Sequence, residues 1–174
     1  MKKKNLFKSV LVAAVLFVFS NLIAQESNIV ETAVANKDFS TLVAAVKAAD
    51  LVEVLSSEGP FTVFAPTNSA FDKLPEGTLE SLLKPENKKT LQTILTYHVV
   101  AGDFKANDVI GLIKKNGGKA IIKTVSEGAL TAQLKEGSVY LTDENGNWSK
   151  ITETDLEQSN GVIHVIDTVV LPKA

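Results

Sequence analysis

Two histidines are the side chains best suited to chemistry at neutral pH: His98 in Tyr97-His98-Val99-Val100 and His164 in Val162-Ile163-His164-Val165-Ile166. An imidazole there can move a proton or ligate a metal. Acid–base work needs a partner group beside it, and a metal needs a third ligand. No spacing in the chain declares either. Asp167 falls on a strand face with Ile163, Val165 and Val169. A lone carboxylate there is either a perturbed base or an acceptor for backbone and hydroxyl groups at a strand end, and the second is the expectation. Asp72 reads as helix surface. Each histidine has apolar neighbours, and a buried imidazole needs a partner for at least one nitrogen. Both are therefore expected as satisfied core histidines, with His98 bonded toward Thr67 and Asn68.

The run from Asp143 to Ser149 places Asp143, Asn145, Asn147 and Ser149 at the first, third, fifth and seventh positions of a calcium loop. Trp148 stands where that loop needs glycine, and Thr154 where it needs a bidentate glutamate. The run is instead expected to be a polar hairpin loop turning at Asn145-Gly146, with Trp148 exposed or covering a sheet edge. Asn147-Trp148-Ser149 is a formal glycosylation sequon, expected to stay unused because the leader has bacterial character. No nucleophile elbow, Walker loop, zinc-protease or dinucleotide motif occurs. No metal or cofactor is expected.

The leader is the first 24 residues. Lys2, Lys3, Lys4 and Lys8 precede an apolar run from Val10 to Phe19, and Leu22-Ile23-Ala24 offers a cleavage site before Gln25. This is a secretory signal, with no membrane span expected once it is removed. The whole chain has 18 basic and 20 acidic side chains, and the leader holds four lysines and no acid. The remainder therefore carries 14 minus 20, or −6, which does not favour nucleic acid. Every basic residue is lysine, so the planar guanidinium fork that grips phosphate is missing. There is no cysteine, so an exported chain must rely on its core rather than on disulfides.

The elements that must position these residues change character along the chain. Asn28 caps a helix starting at Ile29, Asp38 or Ser40 caps the next, and a short helix covers Leu51 to Leu55. Pro60 sets up a strand over Phe61 to Ala65, and Pro66 stops it. Thr67 or Asn68 caps the helix carrying Phe71 and Leu74. After Pro85 a helix presents Leu91, Ile94 and Leu95, and Thr96 to Val100 leaves it as a strand. Asn107 to Lys115 is helical. From Lys119 onward the period becomes two: strands are expected over Ile121–Val125, Ala129–Leu134, Ser138–Thr142, Ile151–Leu156 and Val162–Val170. The fold class is α+β.

Three segments taken in order resemble the fasciclin (FAS1) domain: Phe61 to Pro75, Tyr97-His98-Val99-Val100, and Ser159 to Pro172. The resemblance runs from about Ile29 to Pro172. It implies a twisted antiparallel β-sandwich or wedge with N-terminal helices covering one edge, in a single domain over residues 25–174. It also implies a non-catalytic adhesion module for a cell-surface or matrix protein or a polysaccharide, secreted, surface-held or periplasmic. The Tyr-His motif, Tyr97, His98, Val99 and Val100, is the binding element the resemblance points to. Thr67, Asn68, Phe71, His164 and Asp167 are its structural positions. A small-ligand carrier or enzyme with a pocket near His98 or His164, and a structural envelope component, remain the alternatives. Oligomeric state is left open.

Overall fold

The computed structural model describes residues 26–173, so the leader lies outside the described residues. Among the described residues six α-helices come early: α1 Ile29–Ala35, α2 Ser40–Ala48, α3 Val52–Ser56, α4 Asn68–Phe71, α5 Thr78–Leu82 and α6 Lys88–Tyr97, with short 3-10 turns at Lys37–Phe39 and Pro85–Asn87. The strand β1, Phe61–Pro66, interrupts them. Then follow β2 Val99–Ala101, α7 Ala106–Lys115, β3 Lys119–Lys123, β4 Ala129–Lys135, β5 Ser138–Thr142, β6 Trp148–Gln158 and β7 Gly161–Ile166.

The strands form one sheet in the order β2-β1-β7-β6-β5-β4-β3. The expected all-antiparallel arrangement is corrected at one pair. β1 runs parallel to β7, from Phe61↔Gly161 to Pro66↔Ile166. A long crossover must join parallel neighbours, and here it is nearly the whole domain. β7 is consequently central, and Val162 through Ile166 are buried on both faces. The long strand ends at Ile166 rather than Val170, and β6 is longer than expected, starting at Trp148.

β6 has irregular register between Ile151 and Glu153 and again between Glu153 and Leu156. Such irregularities bend a strand and raise its twist. The sheet curls over as a result. Phe64, Val100 and Ile166 from one end share a core with Ile122, Leu130 and Leu141 from the other. The amide of Val125, beyond β3, donates to the Val99 carbonyl of β2 at 2.8 Å. The product is one curled, wedge-like sheet.

A second core lies on the opposite face. Phe39, Leu42, Val46, Leu91 and Leu95 from the helices pack on Val63, Ala65, Ile163 and Val165. The early helices thus cover a face of the β1–β7 pair, not an edge. The reason is in the strands: Val63, Ala65, Ile163 and Val165 make one face of the pair apolar and Phe64 and Ile166 the other, so both must be covered.

Candidate functional site

α6 is amphipathic, burying Leu91, Ile94, Leu95 and Tyr97. It runs through Tyr97, and the His98 amide closes its last turn on the Leu95 carbonyl at 3.1 Å. The chain then extends, and Val99 and Val100 pair with Val63 and Thr62. β-Branched residues favour that extended state. The strand expected from Thr96 thus begins only at Val99. Alternating faces do not apply at this corner, and both polar side chains point inward: Tyr97 is 0% exposed and His98 2%. Tyr97 joins the core under the curled sheet, while His98 borders the helix-side core.

The His98 ring is bonded at both nitrogens. Nδ1 lies 2.8 Å from the Ile94 carbonyl oxygen, so Nδ1 carries the proton. Nε2 accepts the Val170 amide at 3.3 Å. The partners are therefore Ile94 and Val170, not the Thr67–Asn68 region expected from sequence. The helix turn and the tail after β7 are closer to the ring than β1's exit. Burial pushes the imidazole down to about 4, against the opposing hydrogen bond to the Ile94 carbonyl. The Tyr97 hydroxyl donates to the Ala129 carbonyl at 2.8 Å and accepts the Glu144 amide at 3.2 Å. Burial pushes this phenol up to about 12, although the Glu144 amide favours its ionised form.

His164 sits on β7 with the opposite tautomer. Nε2 is 2.7 Å from the Phe104 carbonyl, and Nδ1 accepts the Asp155 amide at 3.3 Å. Its ring stacks on Phe64 with centroids 5.7 Å apart. All four histidine ring nitrogens thus meet backbone groups, and ligating a metal would break a buried hydrogen bond. Among the described residues no cluster of three or more His, Cys, Asp or Glu is placed to hold an ion.

Asp167 lies just past β7. Its Oδ1 accepts the Lys150 amide and the Thr168 hydroxyl, both at 2.9 Å, and Lys73 sits 3.5 Å from Oδ2. Burial raises its pKa, but these bonds and the Lys73 charge outweigh it and hold the group below its ordinary value. Thr67 caps α4, its hydroxyl accepting the Ala70 amide at 3.3 Å. Phe71 is buried in the helix-side core. Asn68 serves another helix altogether: its Oδ1 accepts the Thr41 amide at 3.0 Å, and its Nδ2 donates to the Lys37 carbonyl at 2.9 Å. Phe39, at the start of α2, offers no side-chain cap. Asn68 does the work expected of Asp38 or Ser40.

Three further anchors went unrecognised in the sequence. Asp143 is buried, and its carboxylate accepts from the Asn145, Asn147 and Leu171 amides and the Asn147 side chain, at 2.9–3.0 Å. The Asp-x-Asn-Gly run was the available signal. Asp155, in the bulged part of β6, accepts the Ala106 amide at the start of α7 at 2.7 Å. Asn160 accepts the Ile29 amide and donates to Leu55 and Ser57 carbonyls, tying β7 to α1 and α3. The last two had no local signal, because their partners are at least 49 residues away.

Two clefts bear on small-ligand chemistry. One, beside His98 and lined by Val30, Ala33, Val43 and Val46, offers about 40 Å³ and is almost wholly apolar. That is room for roughly one or two waters. The other, about 550 Å³ and open to solvent, lies among Glu58, Asp103, Lys105, Glu157 and Asn160, where Lys105 pairs with Glu157. No helix among the described residues is long and apolar enough to cross a membrane.

Residues 37–172 match the family model described as the Fasciclin domain. The chain is 55% identical over 144 residues to Protein sll1483 of Synechocystis sp., covering 83% of this chain and 73% of that protein. It is 38% identical over 136 residues to the transforming growth factor-beta-induced protein ig-h3 of Sus scrofa, covering 78% of this chain but 18% of the larger protein. Among solved structures it resembles a FAS1 domain pair from the insect cell adhesion molecule fasciclin I. The TM-score is 0.74 at 18% identity, over 83% of this chain and 51% of the pair. At that identity the likeness speaks for the fold.

Proposed function

The chain belongs to the fasciclin domain family, and on that footing we propose that it is a non-catalytic adhesion module, exported and acting in a single domain. It binds a surface or matrix component non-covalently through a rigid scaffold. The family match carries this reading, and the burial of the Tyr-His motif defines the motif's part in it. Tyr97, His98, Val99 and Val100 are each no more than 3% exposed, and the two polar side chains bond to backbone groups. The motif acts by locking α6, β2, the Glu144 loop and the Val170 tail together, and the partner contacts the surface that this lock holds in shape.

The carrier and enzyme readings find less support. The cleft at His98 is too small for a metabolite, and neither histidine is bonded to a carboxylate or hydroxyl. The test immobilises envelope fraction, exopolysaccharide and matrix proteins, then measures binding of the purified protein. Saturable binding to one class, competed by the same material in solution, is expected. Binding to none of them overturns the adhesion reading.

A further inference from the structure

The outer face of β3 to β6 is open and has a defined chemistry. Its inner side is filled by Ala120, Ile122, Leu130, Ala132, Val139 and Leu141 under α7. On the outside, the register lines up Lys119, Gln133, Tyr140 and Lys150 in one row, and Ile121, Thr131, Thr142 and Trp148 in the next. A four-strand row is about 14 Å across. Lys123 and Lys135 stand at the ends of β3 and β4. None of these four lysines forms an ion pair among the described residues. No acid lies in either row; Glu127, Glu136 and Glu144 are in the turns, Glu144 bonded to the Ala129 and Lys173 amides, and Glu153 lies beyond Lys150 on β6. In a chain with more acids than bases this is a concentrated cationic face.

Trp148 is 46% exposed, with the Tyr140 ring edge-on at 5.9 Å and the Lys135 ammonium 5.5 Å from its centroid. An exposed indole at the first position of β6 contributes little to the core that would keep it there. Beside it stand hydroxyls and an amide, Thr131, Thr142 and Gln133. Aromatic plane, hydroxyl and amide groups, and ammonium ions spread over one open sheet face match one polymer chemistry. The apolar face of a pyranose stacks on the indole, its hydroxyls meet threonine and glutamine, and its carboxylates meet lysine.

We propose that this face binds an acidic polysaccharide of the uronate type. The proposal rests on the adhesion reading, and it places the contact on the outer face of β3–β6, on the side of the sheet opposite the buried Tyr97.

Trp148 is the only tryptophan, so its fluorescence reports directly on this face. Purified protein is titrated with polygalacturonate, neutral dextran, polyglutamate and a single-stranded DNA oligonucleotide. Polygalacturonate alone is expected to shift the emission saturably, and the affinity should fall as salt rises. Affinity electrophoresis of Trp148→Ala and of the double variant Lys135→Ala/Lys150→Ala should show losses of about tenfold or more. Their melting temperatures should stay near the parent's, which separates lost contact from lost fold. Equal binding to polyglutamate or DNA would reduce the face to a charge effect and overturn the proposal. So would undiminished polygalacturonate binding by Trp148→Ala. If that variant also retains binding to the immobilised envelope panel, the adhesion reading stands and this face alone is wrong.

Discussion

The His98 ring accepts the amide proton of Val170, 72 residues further along the chain, at 3.3 Å. One neutral imidazole therefore joins the end of α6 to the segment leaving β7. A charged imidazole carries protons on both nitrogens and cannot accept that bond.

The pH dependence follows from this. His98 binds its proton at about 4 when folded, below the ordinary 6.5. The unfolded chain thus takes up the proton first. The stabilising contribution is complete above about pH 6.5 and is lost progressively as pH falls toward 4, by about 3 kcal/mol in all. Urea unfolding at successive pH values should show the midpoint falling already between pH 6.5 and 5, above the range where ordinary carboxylates titrate. His98→Ala should cost about 1–3 kcal/mol at pH 7, since the Val170 amide loses its acceptor. The variant should also lose most of that slope. A slope unchanged in the variant would place its origin elsewhere.

Tyr97 and Gly128 should prove mutually dependent. A Cβ on Gly128 would lie 2.6 Å from the buried Tyr97 ring. Gly128→Ala should destabilise by about 1–3 kcal/mol through overpacking. Tyr97→Phe should cost about 1 kcal/mol by leaving the Glu144 amide without its acceptor. Chemical denaturation of both variants measures this, and a neutral Gly128→Ala would mean the ring yields freely.

Asn68→Ala should cost about 1 kcal/mol, the usual value of a lost cap. The loss should appear in α2 rather than in α4, where Asn68 resides. Amide hydrogen exchange at Thr41 discriminates: faster exchange at Thr41 with Ala70 unchanged is expected, and the reverse pattern would return Asn68 to its own helix.

Asp143→Ala should be the most damaging loop substitution, at about 2–3 kcal/mol, because several amides lose a charged acceptor together. Calcium should not raise the melting temperature of the parent, since both carboxylate oxygens are already bonded within the loop and to Leu171. A calcium-dependent rise in thermal scans would contradict that assignment.

Much of the architecture was legible in the residues. Asn28 sits where its cap was expected, with Glu31 completing the reciprocal pair. β5 has the expected bounds, and the buried residues of β3 and β5 alternate as predicted. These features are local: a capping side chain lies within three residues of its amide, and strand alternation repeats every two. The order of the three segments that resemble the fasciclin domain was likewise readable, and the family match bears it out.

What the tertiary structure alone decided involves partners far apart in the chain. The parallel β1–β7 pair joins residues a hundred apart, and nothing in either strand states its partner's direction. Asn68 caps a helix 27 residues earlier, and Asp155 caps one 49 residues earlier. His98 finds Ile94 and Val170 because the chain turns from helix to strand at that residue, whereas continuing alternation would have put it beside Tyr97's opposite face. Local propensities specified which groups needed hydrogen bonds. Only packing two apolar faces of one curled sheet determined which distant groups were near enough to supply them.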